Sequence, residues 1–285
     1  MFIIVGFAVV ALSVIGGYLL EGGNLSVLVQ PAEILIIVGA AIGAFIISNP
    51  MKILKAAVQS IAGLLKNKVY TKGDYLEALA LLNGIFYKIR QQGLVAVEAD
   101  VDEPQKSPLF NRYESVMKNH RALGLITDTL RMVMTTTIAP HELEALLENE
   151  IEGHFEELLS PSKSIGFVAD GLPGLGIVAA VLGVVLTMGK IGSPPEVLGH
   201  SIGAALVGTF LGVLLCYGFV GPLGRHLEHV AHEETQYLTV FKTALVAFVG
   251  GAAPKVAVEF GRRVIPHDVK PPFEEVEAVL KQMKK

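Results

Sequence analysis

The chain has 285 residues, 52% hydrophobic and 18% charged, against about 25% charged in soluble domains. Its mean hydropathy of +0.54 argues against an ordinary soluble enzyme. A net charge of −4 leaves no basic footprint for nucleic acid. The single cysteine, Cys216, excludes a disulfide framework and a CxxC metal site.

Charges are missing in blocks. Met1 to Leu20 carries none, Pro31 to Met51 carries only Glu33, and Gly171 to Gly189 and Ser201 to Gly224 carry none. Each block approaches the roughly 20 residues that a helix needs to cross the hydrocarbon core. The expected fold is an all-α, polytopic membrane protein with four transmembrane helices and a helical cytoplasmic domain. Spans are expected at residues 1–20, 31–50, 171–190 and 201–222. Short outer loops at 21–30 and 191–200 would join them, leaving 51–170 and 223–285 on the inner side. The N-terminus lacks the early Lys or Arg of a cleaved signal peptide.

Orientation follows from basic residues. Of 23 Lys and Arg, all but Lys190 lie in the segment from Lys52 to Asp170 or after Gly224. Near the span ends, Lys52, Lys55, Lys66, Lys68 and Arg225 agree, so the positive-inside rule puts both termini in the cytoplasm.

The inner segment reads as helical. Leu76, Leu79, Leu82 and Ile85–Phe86 recur at helical spacing, Ala99 to Pro108 reads as a loop, and Leu123 to Met134 as an amphipathic helix. Pro140 suits a helix start before Glu142, Glu144, Glu148 and Glu150. The tail continues as a polar helix through Gln236, and Pro254, Pro266 and Pro271–Pro272 punctuate it.

The centres of the spans hold no Asp, Glu, Lys, Arg or His, so an ion carrier of the kind expected inside a membrane is missing. Glu33 falls in the first turn of span two. There it is either a carboxylate favoured by the helix dipole or a group at an ion entrance. Small residues are abundant instead: Gly39 and Gly43 in span two, Gly176, Ala180, Gly183 and Thr187 in span three, and Ser201, Ala205, Gly208 and Gly212 in span four. Such faces serve either packing within one bundle or a surface for other subunits. Pro173 and Pro222 either end helices or free carbonyls along a cavity. His226, His229 and His232 lie at steps of three among Glu228, Glu233 and Glu234, a pattern that suits a solvated helix face better than a metal site.

The residues resemble a known family. ALVGTFLGVL in span four, followed after seven residues by Pro222, is similar to the signature of the MotA family of flagellar motor stator proteins. QPAEILIIVGAAIG, DGLPGLGIVAAVLGVV, AVEFGRR, YTKGDY and EALLENEIEGH extend the resemblance over nearly the whole chain. The related ExbB and TolQ proteins share the last two spans but usually have three in all.

The resemblance implies a subunit of the bacterial inner membrane, active in motility and chemotaxis. It implies a pentamer around two MotB chains whose aspartate carries the ion, with membrane lipid around it, no cofactor and no covalent chemistry. Pro173 and Pro222 match prolines that couple ion flow to movement. Thr209 matches the threonine near the ion-carrying aspartate, and Ala180 stands where sodium-driven relatives carry a second threonine, which implies H⁺ as the ion. Arg90 and Glu98 match the charged pair that engages the rotor protein FliG, and Glu150 matches a weaker electrostatic position. An energiser of the ExbB/TolQ kind and a non-conducting membrane scaffold are the competing readings.

Overall fold

The computed structural model describes residues 2–64 and 69–282. Lys66 and Lys68, two of the basic residues used for orientation, lie outside the described residues. Among the described residues there are helices and no strands, and four helices are long and apolar enough to cross a membrane. The chain divides into two compact units. One comprises Met1–Asn67 and Glu157–His229, the other Lys68–Glu156 and Val230–Lys285.

In the first unit, α1 (Phe2–Leu20) buries none of its residues. An apolar helix left bare in this way needs lipid or another chain around it. A short helix α2 (Leu25–Leu28) is capped by Asn24, whose side chain accepts from the Ser26 N–H. Pro31 opens α3 (Pro31–Ser48), supplying a preset φ where no N–H is needed. After Pro50 comes α4 (Met51–Gly63), which buries Ala57 against Ile165 and Leu227.

The two remaining spans are parts of much longer helices. α9 runs unbroken from Pro140 to Met188 and contains both Pro161 and Pro173. α10 (Pro195–Leu214) passes into a π-helical turn, Leu215–Val220, and then into α11 (Gly221–Val249). Pro222 explains the turn: without an N–H and with a ring that clashes with the preceding turn, it cannot continue a regular α-helix. Widening relieves the clash, and the Gly221 N–H donates to the Cys216 carbonyl five residues back.

The second unit holds a conventional core. α5 (Lys72–Gln92) starts with a capping box between Thr71 and Asp74. Leu79, Leu82, Ile85 and Phe86 on α5 are fully buried, and Phe86 stacks on Phe248 of α11 at 4.2 Å. The segment expected as a loop is partly helical: α6 (Glu98–Asp102) is followed by a 3₁₀ turn at Pro104–Lys106. Here local hydrogen bonding wins over the polar, proline-bearing composition. α7 (Glu114–Met117) and α8 (His120–Thr135) follow. α11 extends well past Gln236, because Tyr237, Leu238, Val240, Phe241, Ala244 and Leu245 are all buried. α12 (Pro254–Arg263) and α13 (Phe273–Gln282) begin at the expected prolines or just after them.

A polar bridge joins the starts of α5 and α8 to the middle of α11. The Asn119 side-chain oxygen, Oδ1, caps α8 by accepting from the N–H groups of Arg121 and Ala122. Its amide donates to the Tyr70 oxygen at 2.7 Å and to Glu234 at 3.0 Å, while the Tyr70 hydroxyl donates to Glu234. Burial, and after it the charge and hydrogen bond of Glu234, push the Tyr70 hydroxyl above its usual range. It therefore stays a donor at all ordinary pH values. Asn119→Ala removes a cap and leaves partly buried acceptors short of a donor, a loss of about 1–3 kcal/mol. Thermal melting of the purified full chain should show the drop, whereas Asn111→Ala, whose exposed amide only donates to the Gln105 carbonyl, should melt like the parent.

Candidate functional site

The membrane unit is built around a crossing of α9 and α10 at which glycines bring the two backbones together. A Cβ on Gly176 would lie 2.7 Å from the Gly208 carbonyl oxygen and 3.0 Å from the Gly212 Cα. One on Gly212 would lie 2.6 Å from the Leu172 carbonyl oxygen, and one on Gly183 would lie 2.7 Å from the Ala205 Cβ. These distances are far inside contact, so only glycine fits. The small faces of spans three and four therefore meet each other within the chain. Of the two expected uses of these faces, packing within the bundle is the one these contacts show. Gly43 of span two, by contrast, has nothing within 4 Å of an added Cβ.

The same crossing receives Glu33, which is only 8% exposed. Its Oε2 would lie 2.8 Å from a Cβ on Gly208, and its Oε1 would lie 3.4 Å from one on Gly183. Oε2 is buried without a hydrogen-bond partner among the described residues. The position in the first turn of α3 is as expected, but the carboxyl is packed against two other spans and not held at an open interface. No sequence pattern announces this, since the contact is made by glycines more than 140 residues away. Ala180 is brought to the same place, its backbone N 3.0 Å from a Cβ on Gly208, the residue before Thr209. Thr209 is half-buried.

One end of the crossing opens into a cavity of about 540 Å³, whose lining includes Ala169, Asp170, Cys216, Pro222, Arg225 and Glu228. Pro173, one turn past Ala169, offers no N–H to the Ala169 carbonyl. Ser162 donates to the Gly224 carbonyl at 2.8 Å and ties α9 to α11 beside the cavity. Asp170, absent from the residues singled out by motif, is exposed on its wall.

The second unit displays the charged pair. Arg90 closes α5 and Glu98 opens α6, with Gly93 between them at φ +86. Both are exposed, and neither forms an ion pair among the described residues. Behind them Lys88 donates to Asp100 at 2.6 Å, and Asp100 also accepts from the Ser107 hydroxyl at 2.6 Å. This half-buried clamp fixes the turn and leaves the outer charges uncommitted. Glu150 is half-buried on α9, 4.0 Å from His154. Among the described residues no group of three His, Cys, Asp or Glu is placed to hold a metal ion.

Comparison with known proteins gives the context of this geometry. Residues 4–93 match the model of the motility protein A N-terminal family, and 117–239 match the MotA/TolQ/ExbB proton channel family. Motility protein A of Escherichia coli is 40% identical over 284 residues, spanning 100% of this chain and 96% of that one. Motility protein A of Salmonella typhimurium is 42% identical, spanning 97% and 94%. The chain belongs to the motility protein A family. It is a multi-pass membrane protein, and its family is one of proton channels and not a known enzyme class. The solved structure of C. jejuni MotAB shares its fold, with a TM-score of 0.77 at 21% identity over 93% of this chain and 96% of that one. The match to the N-terminal motility family separates it from the ExbB and TolQ branch.

Because backbone meets backbone at the crossing, Gly212→Val should abolish motility and lower the amount of chain in the membrane, as overpacked cores lose about 1–3 kcal/mol or more. Gly43→Ala, made where space is open, should do neither. Swimming assays beside immunoblots of membrane fractions separate the two outcomes.

Proposed function

We propose that copies of this chain, five by family resemblance, surround a MotB-type partner in the bacterial inner membrane, with both termini in the cytoplasm. The complex conducts protons, and Arg90 and Glu98 push the rotor protein FliG. The solved relative from Bacillus subtilis is described as a flagellar MotAB stator complex, and it covers 94% of this chain at a TM-score of 0.76 and 23% identity. That description supports a MotB-type partner here.

The observation that carries the reading is the α9–α10 crossing. It sets the Glu33 carboxyl and Thr209 near a proline-flanked cavity, while the centres of the spans hold no Asp, Glu, Lys, Arg or His. In this reading the carrier comes from another chain. An ion falling through 100 mV releases about 2.3 kcal/mol per charge. Binding and release at the partner's carboxylate would bias the subunits between positions around it. Pro222 follows the π-helical turn and Pro173 removes a backbone N–H within α9, so both suit the point at which such a bias becomes movement. Glu33, already inside the crossing, is placed to hold water or an ion near the path.

The ion is H⁺ in this reading. Sodium requires several oxygen ligands in place of its hydration shell. Ala180 supplies none from its side chain, although Thr209 remains as a hydroxyl beside the crossing. Reconstituted with a MotB-type partner in liposomes, the chain should pass protons at a rate indifferent to Na⁺, and without the partner it should pass none. Flux from the chain alone, lost in Glu33→Gln, would make Glu33 the carrier and overturn the reading.

Exposed charges without partners cost little to keep and are free to pair elsewhere. Glu150 adds a weaker negative position by resemblance. Arg90→Glu and Glu98→Lys should each depress motor torque while the chain accumulates normally in the membrane. Complementary charge changes on the rotor should restore part of it, as coupled pairs do in mutant cycles. Torque is read from tethered-cell rotation under load.

A further inference from the structure

The second unit contains a cavity that none of the above uses. It has a volume of about 520 Å³ and is lined by α5 on one side, through Asn83, Tyr87, Lys88 and Gln91, and by Arg112 and Leu280 on the other. Its size falls within the roughly 300–1,000 Å³ of small-molecule sites.

Asn83 is the unexpected residue. It is 7% exposed in the middle of an otherwise apolar helix face, and its amide has no hydrogen-bond partner among the described residues. The amide opens onto this cavity, where water or a ligand can satisfy it. Asn and the Gly84 that follows are poor choices inside a helix. Leu or Ala at these positions would satisfy the fold better, so the pair reads as a concession to something other than packing. The walls indicate what. Arg112 is exposed and pairs with no carboxylate among the described residues, which leaves one uncompensated cation at the mouth. Lys88 is already committed to Asp100. An aromatic ring, an amide able to donate and accept side by side, and a free guanidinium form the set that reads a planar, hydrogen-bonding ring carrying a phosphate.

We propose that this cavity binds a nucleoside monophosphate, with the Asn83 amide on the base edge, Tyr87 against its face and Arg112 on the phosphate. The ligand would occupy α5 next to Arg90, and its binding would set the charge presented around that helix end. The purified full chain, in lipid nanodiscs, is titrated calorimetrically with AMP, GMP and inorganic phosphate. The expected result is binding of at least one nucleotide, weakened about tenfold or more by Asn83→Leu and by Arg112→Gln. Arg263→Gln, a substitution on α12 away from the cavity, should leave affinity unchanged. Arg112→Gln alters only an exposed side chain, so its effect does not depend on refolding of the core. Absence of nucleotide binding at millimolar concentration would overturn the proposal. So would equal binding by parent and variants, or binding of inorganic phosphate as tight as that of AMP and GMP.

Discussion

Everything in the membrane unit depends on the backbones of two helices touching. At Gly176, Gly183, Gly208 and Gly212 there is no room for even one additional carbon. In lipid the hydrophobic effect gives no help in joining apolar helices, so close van der Waals contact and exposed backbone dipoles take its place. The contact also aligns carbonyl oxygens of one helix with the Cα atoms of the other, where weak C–H···O attraction operates. Glycine is accordingly an attractive residue here, although it is a poor one for helices in water.

This crossing decides what else is possible. It draws the Glu33 carboxyl in from α3, places Ala180 beside Gly208, and leaves Thr209 on the flank. A comparable division of labour holds in the second unit. There the Lys88–Asp100–Ser107 clamp supplies rigidity and Arg90 and Glu98 supply accessible charge. Charges that hold a fold together are already paired, so those intended for a partner must be a separate set. The two sets alternate along α5 and α6, two residues apart.

The four long apolar helices were legible in the sequence because hydrocarbon demands long uncharged runs. The prolines that open or precede α9, α12 and α13 were legible because their chemistry is local. Residues 98–106 were not, since a short helix and a 3₁₀ turn leave no periodic signal. The extent of α11 was missed because its apolar positions after Gln236 belong to a core shared with α5, which one-dimensional patterning does not reveal. Among the candidate site residues, the prolines and the small stripes stood out by type. The destination of Glu33 did not, because a single carboxylate in a first turn looks the same whether it meets water or two other helices. Arg90 and Glu98 carried no signal beyond resemblance, as free surface charges are common. Asn83 sat unnoticed within an apolar run, where only the fold shows it to line a cavity.

The π-helical turn before Pro222 carries a consequence of phase. Such a turn holds one more residue than the α-helix it interrupts, and each residue of an α-helix advances the side chains by about 100°. The azimuths of Arg225 and Glu228, which reach the cavity, are therefore set by that surplus residue at Leu215–Val220. Removing one residue from the turn would hardly shorten the span, yet it would swing both charges away from the cavity wall. In this segment the count of residues acts as a rotational setting, and its hydrophobicity reveals nothing of it.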